Sequence, residues 1–174
     1  MEGVERYKVK LLPHNERWDA EYEMVRSEIN EAWNKNIIDI QHVGSTAIRN
    51  IPAKPILDVA VRLNSIQNMD AGALRYLGYD YCGAQCNRNT YHLYVLRDEN
   101  QISLRHIHCY DSKDYEYYKL IGFRDYLNSH NDVAKQYSNL KEKLALLYPE
   151  DRIAYTKGKE EFILSIYALL DMKE

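Results

Sequence analysis

Residues Ile56 to Leu63 read ILDVAVRL, an apolar, β-branched run closed by Pro55 and Asn64. Such a run predicts a strand of a packed sheet. One residue breaks its character: Asp58 places an acid inside it, and a carboxylate there is costly unless it is paired or binds a metal. Strand periodicity sets Asp58, Ala60 and Arg62 on one face and Leu57, Val59 and Val61 on the other. A salt bridge to Arg62 or Lys54 is one explanation of the acid. A ligand site is the other.

The elements around this strand are predicted from periodicity and punctuation. Tyr7 to Leu12 alternates like a short strand ended by Pro13. Asn15 caps a helix to about Lys35, with Trp18, Tyr22, Val25, Ile29 and Trp33 at helical spacing. Ile37 to Val43 is strand-like and breaks at Gly44-Ser45-Thr46, and Arg49 to Pro55 is a loop. A shorter helix is expected from Asn68 to Leu77, ending at Gly78, and Tyr79 to Asn89 reads as irregular. Tyr91 to Arg97 and Ile102 to Tyr110 form a hairpin. Helices follow over Lys113 to Ser129, Asp132 to Leu147 and Asp151 to Met172, each beside a capping residue type: Asp111 or Ser112, Asn131, and Asp151. Strands in 1–110 followed by helices in 111–174 predict an α+β fold, a small mixed sheet with a C-terminal helical segment.

At 174 residues the chain is expected to be one domain over 1–174. Lys and Arg total 23 against 26 Asp and Glu, a net of −3, which argues against an extended nucleic-acid surface. No run of apolar residues is long enough for a membrane-spanning helix, and Met1 to Lys10 carries no apolar signal stretch. A cytoplasmic protein is expected. Cys82, Cys86 and Cys109 are odd in number, and the Cys82/Cys86 pair lacks a second pair to complete a zinc site. They are expected to be reduced thiols.

Two stretches carry candidate chemistry. In HVGSTAIRNIPAKPILDVAV, from His42, a strand enters Gly44-Ser45-Thr46 and a loop leads to Asp58. Glycine allows close backbone approach, and successive N–H groups at such a turn bind anions. The Ser45 and Thr46 hydroxyls add donors, and Lys54 in the loop adds a charge. A turn that merely caps a helix would look the same. The second stretch is Arg105-His106-Ile107-His108, whose two histidines point the same way on a strand, about 6.6–6.8 Å apart. They suit metal ligation or general-base work, and they equally suit a solvated strand face. Lys157-Gly158-Lys159 is a further basic candidate, and Tyr137, Leu140, Leu144 and Leu147 read as a core stripe.

HVGSTAI…IPAKPILDV, with RHIHCY, FRDYLNSHNDVAKQYSNLKEKLA and AYTKGKEEFI, resembles the GrpB family from about Val9 to Ile166. The resemblance implies a branch of the nucleotidyltransferase superfamily. There a Gly-Ser turn holds the nucleotide phosphates, two acids two residues apart on the next strand bind Mg²⁺, and a third acid comes from a later strand. Gly44-Ser45 matches the turn and Asp58 the first acid. The second acid position falls on Ala60, and the later strand carries His106 and His108. Histidines shift preference from Mg²⁺ toward Mn²⁺ or Zn²⁺.

The resemblance therefore implies two functions. One is a metal-dependent nucleotidyl or phosphoryl transferase acting on a nucleotide or phosphorylated small molecule. Asp58, His106 and His108 would hold a divalent cation, Mg²⁺ or Mn²⁺ before Zn²⁺, and one histidine would serve as ligand or base. Gly44, Ser45, Thr46, Lys54, Arg105 and Lys159 would bind the substrate. The other function is a non-catalytic module that binds a nucleotide or phosphometabolite in the same cleft.

Overall fold

A computed structural model describes residues 1–171, so the expected helix end at Met172 lies outside the described residues. Its centre is a five-stranded mixed sheet: β1 (Ile37–Val43), β2 (Leu57–Leu63), β3 (Tyr79–Gln85), β4 (Arg88–Arg97) and β5 (Ser103–Asp111). The spatial order is β1-β2-β5-β4-β3. β2 runs antiparallel to β1 and parallel to β5, while β4 is antiparallel to both β5 and β3. The fold is α+β.

The alternation in β2 decides how the sheet is covered. Leu57, Val59, Val61 and Leu63 are fully buried and pack with Ile107, Cys109 and Tyr94. Helix α1 (Arg17–Trp33) closes that face with Val25, Ile29 and Trp33. The Asn15 side chain accepts the Arg17 N–H at 3.0 Å from one position outside the helix; the N-cap is Glu16, without a side-chain cap bond, rather than the expected Asn15. Each fully buried aliphatic side chain contributes about 1.5–3 kcal/mol, so β2 is held firmly at the sheet centre. The opposite face is shorter in apolar residues: Val43, Ala60 and Tyr110 meet Tyr117. Helices α2 (Glu116–Ser129), α3 (Asn131–Leu147), α4 (Arg152–Gly158) and α5 (Glu160–Asp171) lie in the C-terminal third. Leu127, Ala134, Tyr137 and Ile166 from α2, α3 and α5 form a further cluster with Ile48 and Ile51.

Several local expectations are corrected. Tyr7 to Leu12 is not a strand; Leu12 makes one isolated bridge, to Ala53. The expected helix over Asn68–Leu77 is two 3₁₀ turns, Ile66–Asn68 and Arg75–Leu77. Gly72 interrupts it, its N–H bonding the Asp70 carboxylate at 2.8 Å. Tyr79 to Gln85 is a sheet-edge strand rather than irregular chain, and only Tyr79 in it is buried, so no alternation marked it. The long C-terminal helix divides at Lys159 into α4 and α5. Asp151 does cap α4, accepting from Ile153 and Ala154. Helix α2, by contrast, starts later than expected, and Asp114 rather than Asp111 or Ser112 accepts the Glu116 N–H. The cysteines are free thiols.

Candidate functional site

Parallel pairing of β2 and β5 sets Asp58 opposite His106 and Ala60 opposite His108. All three polar side chains share the sheet face turned away from α1. Asp58 Oδ1 lies 3.1 Å from His106 Nδ1 and 3.2 Å from His108 Nε2. One ligand atom from each residue fits within 4.8 Å of the other two, the spacing of a set that can close on one ion. Burial pushes the Asp58 carboxyl up, but the hydrogen bonds and charges of the two histidines outweigh it and hold the group well below the usual carboxylate range. The pairing is with histidine, not with Arg62 or Lys54. Arg62 instead donates to the Ser112 carbonyl at 2.8 Å. The far nitrogen of His108 is also fixed, since Nδ1 lies 2.8 Å from the Tyr91 hydroxyl. Such an outer partner sets the orientation of a ligating imidazole.

The Gly44 turn packs directly on this acid. Gly44 has φ +72°, and a Cβ built there would collide with the Asp58 carboxylate and its Cβ. A side chain at this position is excluded twice, by backbone conformation and by space. Ser45–Ala47 then makes a single 3₁₀ turn whose N-cap is Gly44, so no side chain caps it. From α2, Asn128 clamps the turn, donating to the Ala47 carbonyl at 3.0 Å and accepting the Arg49 N–H at 2.9 Å. Thr46 departs from expectation. It is fully buried, with Oγ1 3.0 Å from His42 Nε2, and so faces inward rather than toward a ligand. His42 stacks on Tyr22 across the sheet from Asp58's side chain, and burial lowers its pKa to about 4. It pins the turn.

The expected basic residues divide. Arg105 lies on the α1 face, where it binds Glu21 at 2.6 Å and Glu28 at 3.4 Å. Strand alternation turns it away from its neighbour His106, so Arg105 does not join the site. Lys54 and Lys159 converge instead on the Tyr155 ring. Their ammonium groups lie 5.7 and 4.7 Å from the centre of the Tyr155 ring, and both feel the Asp58 charge. Burial, then repulsion from Arg152 and Lys159, lowers the Lys54 pKa to about 7. Burial also lowers that of Lys159 to about 8, with Asp58 opposing.

Three participants escaped the sequence reading. Lys141 is 1% exposed, donates to the Pro52 carbonyl and sits 4.9 Å from the Tyr137 ring centre. Burial pushes it down to about 7, with Lys159 and Lys54 adding to the effect and Glu142 opposing. Its signal was present: the buried stripe of α3 is Ala134, Tyr137, Ser138, Lys141 and Leu144, whereas Leu147, expected in the core, is exposed. Tyr91 and Tyr155 carried no comparable signal, because their roles depend on tertiary neighbours.

The chain matches the GrpB protein family over residues 8–169 and belongs to it. The glutamate-rich protein GrpB of Alkalihalophilus pseudofirmus is 32% identical over 94% of this chain and 96% of its own length. Protein YqkA of Bacillus subtilis is 30% identical over 90% of this chain, which spans 45% of that longer protein. The crystal structure of the conserved protein GrpB from Enterococcus faecalis superposes with a TM-score of 0.83 at 25% identity, covering 95% of this chain and all of that one. Among the described residues, no helix is long and apolar enough to cross a membrane.

Proposed function

We propose that this chain is a divergent member of the nucleotidyltransferase superfamily that holds one divalent cation at Asp58, His106 and His108 and places a phosphate ester beside it for transfer. The observation that carries the reading is the convergence of all three side chains within 4.8 Å on the face where the Gly44 turn packs on Asp58. Two imidazoles with one carboxylate favour Mn²⁺ over Mg²⁺, which prefers oxygen ligands. When bound, such an ion supplies Lewis-acid polarisation of a phosphoryl oxygen. The protein's own residues do the rest. The first N–H groups of a helical turn have no partner within it, so those after Gly44 face a phosphate together with the Ser45 hydroxyl. Tyr91 keeps His108 oriented. Lys54 and Lys159 supply positive charge on the side of the Tyr155 ring.

Ala60 favours a second reading. It occupies the second acid position of the superfamily and is fully buried against Val43, Tyr110 and Tyr117, so it offers no ligand. With fewer oxygen ligands the cleft would bind its phosphate ester without turning it over.

A thermal-shift screen against nucleotides and other phosphorylated metabolites, with Mn²⁺, with Mg²⁺ and with chelator, separates these readings. A ligand at about 100 times its Kd stabilises by about 2.7 kcal/mol, which moves Tm by roughly 5–10 °C at this chain length. A Mn²⁺-dependent shift followed by turnover of that ligand supports the transferase. A shift without turnover supports the binding module, and no shift with any phosphate ester contradicts both.

A further inference from the structure

Arg62 shares the polar face of β2 with Asp58 but lies four residues, roughly 13 Å, further along the strand. Buried Ala60 stands between them, with Tyr110 and Tyr117 packed on it. The Arg62 guanidinium is only partly used. One terminal nitrogen donates to the Ser112 carbonyl at 2.8 Å, and the group lies 4.9 Å from the centre of the Tyr118 ring. Its Nε is buried without a hydrogen-bond partner, and among the described residues no carboxylate pairs with it. An unsatisfied buried donor is uncommon in a native fold and marks a place where an acceptor belongs. Around Arg62 opens a hollow of about 560 Å³, lined also by Ser112, Lys113, Asp114, Tyr115 and Tyr118. That volume falls within the roughly 300–1,000 Å³ of small-molecule sites. The exposed Lys113 ammonium has no partner among the described residues either. Asp114, by contrast, is answered within the fold: Arg88 and Thr90 bind one oxygen and the Glu116 N–H the other. Tyr115 and Tyr118 are 79% and 47% exposed, with ring centres 6.3 Å apart. The same two rings wall an adjoining hollow of about 240 Å³ that runs on to Tyr167 and Leu170.

We propose that these two joined hollows are a second ligand site, separate from the Asp58 centre, and that it takes a small aromatic carboxylate. The carboxylate belongs to Arg62 and Lys113. A guanidinium presents coplanar donors that match two carboxylate oxygens, and the hollow lies at the start of α2, whose positive end favours an anion. The aromatic body belongs to the tyrosines. A flat ring stacks on Tyr115 and Tyr118 and extends toward Tyr167 and Leu170, replacing water on exposed ring faces. A singly charged head suits the site better than a phosphate, because Asp114 in the first hollow and Asp171 in the second repel a doubly charged group. This site is independent of the phosphate-ester reading and stands or falls on its own residues.

The test is an NMR titration of the full chain with 3-phenylpropionate, compared with 3-phenylpropanamide, propionate and phenyl phosphate. The aromatic carboxylate is expected to bind at least about tenfold more tightly than the neutral amide or the ringless acid. Arg62→Lys keeps the charge but removes the planar donors, and it weakens binding by about tenfold. Tyr115→Ala, at a ring that is 79% exposed, weakens it by about fivefold and keeps the fold intact, as circular dichroism checks. Tyr76→Ala, at an exposed ring in the turn before β3, and Asp58→Asn both leave binding unchanged. Absence of binding, equal affinity for the amide or for propionate, tighter binding of phenyl phosphate, or unaltered binding in both Arg62→Lys and Tyr115→Ala overturns the site. Equal loss in Tyr76→Ala or in Asp58→Asn overturns it as well, since the probe then sits elsewhere. A tripeptide ending in Phe that binds more tightly than 3-phenylpropionate overturns the small-molecule assignment in favour of a peptide C-terminus.

Discussion

Replacing Lys141 by Met is expected to make the ligand-free protein more stable at neutral pH. Lys141 is 1% exposed, and its pKa lies at about 7 instead of 10.5, chiefly through burial. In the unfolded chain the ammonium keeps its proton to about pH 10.5, whereas in the folded protein it releases it near 7. The unfolded state therefore binds more protons between those values, and stability rises with pH across that window. Below pH 7 the buried charge lowers stability by roughly 3–5 kcal/mol, at about 1.4 kcal/mol per pH unit. Methionine keeps a straight apolar stem over the Tyr137 ring but leaves the Pro52 carbonyl without its donor, which costs about 1–3 kcal/mol. The net gain at about pH 6.5 is about 2 kcal/mol, or a Tm higher by roughly 4–8 °C for a chain of this size. Near pH 9.5 wild-type Lys141 is already neutral in the fold, and the gain disappears. Thermal and urea unfolding at the two pH values measure both. A variant less stable than wild type at pH 6.5 would show that the ammonium braces the fold, and would refute the reasoning.

Tyr91→Phe removes the hydroxyl that orients His108 and is expected to weaken Mn²⁺ binding by about tenfold, read by calorimetry, with little change in Tm. Gly44→Ala forces a methyl group against Asp58 at a positive φ; it is expected to cost about 1–3 kcal/mol in urea unfolding and to weaken Mn²⁺ binding as well. Arg105→Ala breaks the contacts with Glu21 and Glu28, so it is expected to lower Tm while leaving phosphate affinity per folded molecule unchanged.

What the sequence disclosed follows from how local each feature is. The β2 strand and its faces were legible because alternation in one segment fixes them, and α1 was legible because its stripe and Asn15 lie in one window. The edge strand β3 was not, since an edge buries only Tyr79 and leaves no period to read. The Asn68–Leu77 helix failed because a ten-residue segment broken by Gly72 is too short to sustain itself without packing. At the site, Asp58, His106 and His108 were found as residue types, but only the parallel register of β2 and β5 puts them on one oxygen. The alternation that placed His106 and His108 together already argued against Arg105. Lys141 was hidden by the habit of reading a lysine as solvated, although its helical spacing from Tyr137 and Leu144 put it on the buried stripe.

Pulsed EPR of the Mn²⁺-loaded protein bears most directly on the metal centre. Two imidazole nitrogens bound to one ion give resolved ¹⁴N modulation, and the account predicts this signal from one Mn²⁺ per chain. Asp58→Asn is expected to abolish tight binding while leaving the circular dichroism spectrum unchanged. A Mn²⁺ ion with no nitrogen coupling, or undiminished affinity in Asp58→Asn, would contradict the assignment of Asp58, His106 and His108 as its ligands.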